Sequence, residues 1–255
     1  MLKIAKYIIL DILRSKVLLA YTLLLLAISL TIFMSDADVT KGLVSITTVI
    51  LIIVPLVSIV YATTYFFNAS EFTELLVSQP ISRSSILMGK FIGISCSILV
   101  AFLVGVCIPV SIFAFSATGI TLMVSGCLLT LSFISLAFLT STITRDKAKG
   151  IGLALMLWFY FSIIFDGLVL LFLYTFADYP LEKAMIVLTA LNPIDLARIL
   201  ILLQLDISAL MGYTGALYQQ FFGSGAGILF SLLMQLGWIV APLYFARRIF
   251  KKKDL

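Results

Sequence analysis

The fold is decided by stretches such as residues 17–34, which read VLLAYTLLLLAISLTIFM and contain no charged side chain. As an α-helix these 18 residues would be about 27 Å long, close to the roughly 30 Å hydrocarbon core of a bilayer. Four further runs have the same character, residues 43–67, 91–115, 121–144 and 225–246, and a fifth, residues 150–176, is uncharged apart from Asp166. Because lipid offers the backbone no hydrogen-bond partners, each run predicts a helix. The sequence therefore predicts an all-α membrane protein with six transmembrane helices.

The overall composition agrees with this prediction. Of 255 residues, 62% are hydrophobic and 11% are charged, whereas a soluble domain carries about 25% charged residues. This balance excludes a cytosolic enzyme, a nucleic-acid-binding protein and a disordered chain. The sequence has no histidine, which excludes a histidine metal site and a Ser-His-Asp triad, and its three cysteines lie in apolar runs without CxxC spacing. We expect no catalytic residues and no metal ligands.

The distribution of lysine and arginine predicts the orientation of a single domain that covers residues 1–255. If the amino terminus is cytoplasmic, only Lys41, Lys183 and Arg198 of the 17 basic residues fall on the outer side. Basic residues are enriched in the cytoplasmic loops of membrane proteins. We therefore expect both termini to be cytoplasmic.

The segment between the fifth and sixth runs is harder to place. Residues 184–205 are apolar, but two charged residues lie near their centre. The dipeptide Asn192-Pro193 favours a helix start, because Asn caps helices and Pro is preferred at the first helical position. We predict a short helix over 193–205, on the outer surface or dipping into the membrane, within an external platform formed by residues 177–224. The residues expected to contact a partner there are Asn192, Pro193, Asp195 and Arg198.

The amino-terminal segment, residues 1–16, is too short and too charged to span a bilayer. Its pattern predicts an amphipathic helix that lies in the cytoplasmic interface. On a helical wheel one half is apolar and holds Leu2, Ala5, Ile8, Ile9, Ile12 and Leu13. Ile4 and Leu10 do not fit this pattern.

Residues 68–90, here called the elbow, read NASEFTELLVSQPISRSSILMGK. The first half predicts an amphipathic helix with Glu71 and Glu74 one turn apart. Its apolar face would consist of Phe72, Leu75 and Leu76. Pro80 ends this helix, and Ser82 can cap a second short helix that leads into the third span. The elbow suits either the docking of a cytoplasmic partner or an ordinary loop on the lipid headgroups.

The combination of Glu-x-x-Leu-Leu, Gln-Pro-Ile-Ser-Arg and Gly-Lys between the second and third of six helices resembles the permease subunits of ABC-2-type ABC transporters. The resemblance covers essentially the whole chain. It implies that the elbow is a coupling helix received by a separate ABC ATPase, which would bind ATP and Mg²⁺. Two ATPase copies and a second copy of this chain would complete the complex. The residues implied to contact the ATPase are Glu71, Glu74, Leu75, Pro80, Ser82 and Arg83.

Within that family, residues 158–166 and the sequence LNPIDLAR at 191–198 are most similar to the branch that serves maturation of the copper centres of nitrous oxide reductase. This similarity implies a bacterial inner-membrane location and a periplasmic copper-handling protein seated on residues 177–224. Transfer of copper, transfer of a sulfur species and mechanical force alone are all compatible with it. The alternative is an ABC-2 exporter of a lipid, drug or peptide.

The chain contains no nucleotide-binding loop of its own. A P-loop requires Gly-x-x-x-x-Gly-Lys followed by Ser or Thr. The Gly89-Lys90 pair has Ser84 at the first glycine position and Phe91 after the lysine. We therefore predict a non-catalytic subunit, with no cofactor bound by this chain.

Asp166 is the one charged residue inside a predicted span. Charges in spans are costly and commonly face a cavity or a partner. Three roles are open for this carboxylate. It could line an outward vestibule, accept a structural hydrogen bond from Tyr160, Ser162 or a neighbouring helix, or coordinate a cation.

The third span carries a ridge of small residues at every fourth position: Gly89, Gly93, Ser97, Ala101 and Gly105. Such a ridge lets two helix backbones approach closely. It could pack against a helix of the same chain or form the seam of a homodimer.

Overall fold

The computed structural model describes residues 1–35, 38–176, 182–204 and 225–252, and within these ranges it contains helices and no β-strand. The helices are α1 (Leu2–Leu13), α2 (Lys16–Ser35), α3 (Val39–Asn68), α4 (Ser70–Val77), α5 (Arg83–Phe113), α6 (Ala117–Ile143), α7 (Lys147–Thr175), α8 (Glu182–Ala190), α9 (Pro193–Gln204) and α10 (Gly225–Lys252). A π-helical turn interrupts α5 at Leu103–Cys107 and α7 at Tyr160–Ile164.

Six of these helices are long and apolar enough to cross a bilayer: α2, α3, α5, α6, α7 and α10. The predicted all-α fold with six spans is thereby confirmed. Helices α8 and α9 form a pair that is bent by 114°. The bend falls at the predicted break before Pro193, where the side chain of Asn192 accepts a hydrogen bond from the backbone N–H of Ile194 at 2.9 Å.

Short polar side chains fix where the spans begin. Asp38, Ser82, Ser116 and Asp146 each cap the helix that follows and accept a hydrogen bond from a backbone N–H in its first turn. Because Ser82 caps α5 directly, no separate short helix precedes the third span. The span begins at Arg83 rather than at Phe91, which places the last residues of the elbow inside a transmembrane helix.

Helix α6 is the centre of the bundle. It packs against α3, α5, α7, α9 and α10. Of its most apolar stretch 67% is buried, compared with 11% for α7, so α7 lies at the periphery of the single chain. The serine and threonine hydroxyls of α6 bond mostly to carbonyls of their own helix, as Thr130 does to Gly126.

One end of the bundle, here called the basic end, holds α1, the start of α2, the elbow, the start of α7 and the last turn of α10. Polar contacts join these elements. Tyr65 donates to the Asp11 carboxylate at 2.8 Å, and the Lys147 ammonium donates to the Asn68 side chain at 2.7 Å. The other end, which holds the bent pair α8–α9, is called the opposite end below.

Helix α1 packs against α5 rather than presenting a flat apolar half. Its buried residues are Ile4, Ala5, Ile8 and Ile12, whereas Leu2 and Leu13 are exposed. The predicted apolar half was therefore wrong in leaving out Ile4, which belongs to the buried stripe. A helical partner selects a narrow stripe of residues four positions apart, whereas a lipid surface would select a whole half.

Candidate functional site

The elbow is a helix–turn–helix at the basic end. Helix α3 ends at Asn68, and α4 starts at once, with the backbone N–H of Thr73 bonded to the carbonyl of Ala69 at 3.1 Å. A turn that includes Pro80 then leads to the Ser82 cap of α5. The chain thus reverses direction between two spans within about fifteen residues. Helix α4 lies in this reversal, at the end of the bundle.

Helix α4 presents its acidic side to the surroundings. Glu71, Glu74 and Leu75 are exposed, whereas Thr73 and Leu76 are buried. The predicted apolar face was therefore partly wrong, because Leu75 has 66% of its surface exposed. In a helix of only eight residues, the neighbouring helices decide which side chains are buried. Here the buried residues are Thr73 and Leu76, which are three positions apart.

The residues implied to contact an ATPase lie close together in the chain and mostly outside the packed core. The side chains of Pro80 and Ser82 are exposed, as are the three of α4 named above. We call this set the elbow surface; it comprises Glu71, Glu74, Leu75, Pro80 and Ser82. Arg83 differs, because it is half-buried and its guanidinium reaches the carbonyl of Lys251 in α10 at 3.4 Å. The elbow surface is exposed in the single chain.

The small-residue ridge of α5 faces helices of the same chain. A Cβ atom on Gly89 would lie 3.1 Å from Ile4, and one on Gly93 would lie 2.7 Å from Ile8, both in α1. A Cβ on Gly105 would lie 2.6 Å from Leu25 in α2. Ser97 and Ala101 are buried between these positions. The ridge therefore receives α1 and α2.

A groove of about 790 Å³ opens between α1, α3 and α7 at the basic end. Its rim is polar and includes Asp11, Arg14 and Asn68, whereas Leu56 and Leu155 lie in its apolar depth. Along α3 the groove covers the residues between Leu56 and Asn68, about 18 Å at 1.5 Å per residue. This depth is comparable to one leaflet of the bilayer.

At the opposite end, three charged side chains form a cluster that joins α7 to α9. The guanidinium of Arg198 lies 3.0 Å from the carboxylate of Asp166 and 3.0 Å from that of Asp195. The amide of Asn192 donates to Asp195 at 3.1 Å and to the carbonyl of Phe161 at 2.9 Å. Phe161 lies in the π-helical turn of α7, where the regular bonding of a carbonyl is interrupted.

The cluster brings together residues that the sequence had assigned to different roles. Asp166 was considered as a lone intramembrane charge, whereas Arg198 was assigned to a docking platform. In the structure they are an ion pair. The hydroxyl of Ser162 has no hydrogen-bond partner within the described residues, so it does not hold Asp166. A charge inside a span predicts an opposite charge nearby, and that signal could have identified Arg198.

Most of the residues that were predicted to contact a partner on the external platform are buried. The side chains of Asn192, Pro193 and Asp195 are buried and contribute no surface for a partner, whereas Arg198 is half-buried. Burial raises the pKa of the Asp195 carboxyl, and the nearby Arg198 guanidinium opposes that shift. Residues 177–181 and 205–224 of the expected platform lie outside the described residues.

Within the described ranges no group of three or more Cys, Asp or Glu side chains is arranged to hold a metal ion. Cys107 is buried, whereas Cys96 is exposed. At the opposite end Asp166, Asp195 and Arg198 contact one another, whereas Glu71 and Glu74 are exposed at the basic end.

Comparison with known proteins agrees with this architecture. The family model described as ABC-2 family transporter protein matches residues 40–255. A relative from Stutzerimonas stutzeri, named probable ABC transporter permease protein NosY, is 30% identical over 194 residues, which cover 70% of this chain and 67% of that protein. A relative of the same name from Pseudomonas aeruginosa is 27% identical over 273 residues, which cover 96% of this chain and 95% of that protein. The chain belongs to the ABC-2 family and is a membrane-spanning permease subunit of an ABC transporter, whose ATPase is a separate partner.

Proposed function

We propose that this permease couples ATP hydrolysis by the separate ATPase, at the cytoplasmic side, to the handling of copper or sulfur at the periplasmic side during maturation of nitrous oxide reductase. The observation that carries the coupling half of the proposal is the elbow surface, since its carboxylates and Leu75 are exposed at the basic end. The periplasmic half is supported by the similarity to two proteins named NosY.

The coupling half is tested by reversing a charge on the elbow surface. Glu74 is exposed on α4 and shares its face with Glu71, so Glu74→Arg should abolish capture of the ATPase without affecting insertion of the permease. Lys149→Glu is the matched control, because it reverses an exposed charge at the same end but outside the elbow. Co-purification of the ATPase from membranes is the measurement. Full capture by the Glu74→Arg protein would contradict the assignment.

The proposed orientation places the basic end and both termini in the cytoplasm of a bacterial inner membrane. A cysteine at Ala117, exposed at the opposite end, should react with an impermeant thiol reagent in intact cells. A cysteine at exposed Ala148, near the basic end, should not. Both are placed in a chain without its native cysteines. Labelling of position 148 from outside would invert the proposed topology.

The periplasmic half is tested in cells. Cells that lack this chain should produce nitrous oxide reductase without its copper centres, and the wild-type chain supplied in trans should restore them. The absorption spectrum of the purified reductase and its copper content are the measurements. A fully loaded reductase in the deletion strain would exclude the maturation role while leaving membership of the ABC-2 family intact.

An exporter of an amphiphilic lipid, drug or peptide is the second candidate, and the groove at the basic end is the observation that favours it. A polar rim above an apolar depth of one leaflet suits a molecule with a head and a hydrophobic tail. If the groove takes such a substrate, Leu155→Trp should fill it and abolish the stimulation of ATP hydrolysis by added amphiphile. Ile143→Trp, at an exposed position outside the groove, is the control.

A further inference from the structure

Lys90 is the most deeply buried charged residue among those described, with 1% of its surface exposed. An ammonium group has three N–H donors, and three acceptors surround this one. It donates to the carbonyl of Ala69 at 3.2 Å and to the hydroxyl of Thr73, and it lies 4.8 Å from the centre of the Phe66 ring. No described carboxylate forms an ion pair with it.

The acceptors of Lys90 belong to the joint between α3 and α4. Ala69 follows the last residue of α3 and precedes the first residue of α4, so its carbonyl lies at the partially negative end of the α3 dipole. Thr73 lies one turn into α4, and its hydroxyl also donates to the carbonyl of Ala69 at 2.6 Å. Lys90 itself belongs to α5. One ammonium therefore joins three consecutive helices.

The ring beneath the ammonium extends this joint into the bundle. Phe66 packs edge-on against Phe138 of α6 at 5.4 Å and against Phe250 of α10 at 6.4 Å, measured between ring centres. Phe91, the residue after Lys90, contacts the same Phe138 ring at 5.5 Å. A displacement of α4 that moves Thr73 thus meets a continuous set of packed side chains leading to the central helix.

Packing alone does not explain a lysine at this position. Burying an ammonium without a counter-ion is costly. A methionine would fill the same space. Unlike a methionine, the ammonium fixes the positions of its neighbours, because each N–H group holds its acceptor at a defined distance and angle.

We infer that Lys90 is the positioning residue of the elbow: it fixes α4 to α3 and α5, so that a force applied to the elbow surface moves the transmembrane bundle. This inference rests on the proposed coupling role of the elbow and concerns how that role is transmitted. The ATPase touches α4 from outside, on the elbow surface. Lys90 holds α4 from beneath and does not touch the partner.

The anchoring is measured in the permease alone. Spin labels are placed at exposed Ser78, at the end of α4, and at exposed Ala148 of α7, in a chain without native cysteines. The unsubstituted joint should give one narrow distribution of distances between the labels. Lys90→Met should broaden it, whereas Lys16→Met, which removes an exposed lysine at the same end, should not.

Two substitutions of Thr73 keep the test valid if Lys90→Met fails to fold. Thr73→Val keeps the shape and removes the hydroxyl that accepts from Lys90, so it should broaden the distribution as Lys90→Met does. Thr73→Ser keeps the hydroxyl and should retain the narrow one. Combining Thr73→Val with Lys90→Met should have less effect than the sum of the two, because both remove the contact between Lys90 and Thr73.

The consequence for coupling is measured in the complex with the ATPase. Since the elbow surface is unchanged in Lys90→Met and Thr73→Val, capture of the ATPase should persist. The permease-dependent part of ATP hydrolysis should fall by about tenfold, since loss of a hydrogen bond from a charged donor corresponds to a change of that size. The Thr73→Ser variant should keep the permease-dependent ATP hydrolysis that Thr73→Val loses. A general loss of stability caused by any change at this position would not predict that difference.

The possible results separate the two proposals. A narrow distance distribution together with undiminished permease-dependent ATP hydrolysis in both Lys90→Met and Thr73→Val would overturn the role of Lys90. Normal ATPase capture by Glu74→Arg would instead overturn the elbow surface as the coupling site. Because the spin-label measurement needs no ATPase, it reports on Lys90 whichever way the second result falls.

Discussion

At the basic end a single ammonium is buried among neutral oxygens and an aromatic ring, whereas at the opposite end one guanidinium lies between two carboxylates. Lys90 joins three helices that follow one another along the chain. Arg198 joins α7 and α9, which are separated by the bend and by residues outside the described ranges. The first site supports a ledge that stays exposed for a partner. In the second site the charged groups bind one another within the chain.

This difference predicts where a partner protein binds. The carboxylates of the elbow, Glu71 and Glu74, have no ion pair within the described residues and remain exposed. The carboxylates of the opposite end are already bound to Arg198. A partner at the basic end therefore meets charges that are free to bind it, whereas a partner at the opposite end would have to bind residues other than Asp195.

The largest expected effect comes from removing the cation of the opposite-end cluster. Arg198→Leu leaves Asp166 and Asp195 close together with no positive charge. Breaking a buried pair by removing one partner costs about 3–5 kcal/mol, and we expect about 3 kcal/mol because the Arg198 and Asp166 side chains are 31% and 35% exposed. The free energy of unfolding in mixtures of mild detergent and dodecyl sulfate is the measurement.

Removing all three charges is the control for this experiment. The triple change of Arg198→Leu, Asp166→Asn and Asp195→Asn leaves no isolated carboxylate and should recover most of the lost free energy of unfolding. If Arg198→Leu alone leaves stability unchanged, then the cluster does not hold α9 to α7, and the contrast with the basic end loses its basis.

A smaller effect is expected where α1 meets α5 at the basic end. Gly93→Ala places a Cβ atom 2.7 Å from the side chain of Ile8, near its branch point, so α1 must move away. Overpacking of this kind costs about 1–3 kcal/mol. The free energy of unfolding should fall by that amount, and α1 should become more accessible to protease.

The matched control is Gly152→Ala in α7. Among the described residues, no atom outside its own stretch of helix lies within 4 Å of a Cβ built on Gly152, so the substitution meets open space there. A glycine-to-alanine change inside a helix then stabilises by about 0.5–1 kcal/mol. Destabilisation by Gly152→Ala would show that a second copy of the chain covers this face of α7, and it would identify α7 as part of a homodimer seam.

The next effect concerns the hinge of the bent pair. Asn192→Ala removes the cap on the N–H of Ile194 and the donations to the carbonyl of Phe161 and to the Asp195 carboxylate. Loss of a cap and of two buried hydrogen bonds costs about 2 kcal/mol together. Asn192→Ser keeps a capping oxygen and should lose about half as much free energy of unfolding. Equal effects of the two variants would mean that the cap contributes nothing.

The sequence was sufficient to predict the six spans, because a bilayer requires long uninterrupted apolar helices and their ends are marked by Asp, Ser and Lys. It was not sufficient to predict which polar groups meet. Asp166 and Arg198 are distant in sequence, and their pairing depends on the bend between α8 and α9. For Lys90 the sequence predicted a place at the end of the elbow and excluded a nucleotide-binding loop, but it did not show that the end of α3 lies over this residue.

The same limit explains the partial error in α4. Its pattern allowed Leu75 and Leu76 to be buried together, and only the direction in which α4 crosses the bundle decides between them. Ile4 in α1 was misjudged for the same reason, because its partner is a glycine ridge on another helix. Short helices carry too few residues for periodicity alone to fix which side is buried.

The smallest expected effect on stability is that of Leu75→Ala, and it separates stability from function most sharply. Leu75 has 66% of its surface exposed, whereas its neighbour Leu76 has 9%. Truncation of a buried leucine costs about 2–5 kcal/mol, whereas an exposed substitution stays within about 0.5 kcal/mol. Leu76→Ala should therefore lower the free energy of unfolding of the permease alone, and Leu75→Ala should not. Capture of the ATPase should show the reverse order, because Leu75 is the apolar residue that the elbow surface offers to a partner. If Leu75→Ala leaves both quantities unchanged, the partner binds the elbow through its charges alone, and the ledge works by electrostatic attraction rather than by burial of an apolar anchor.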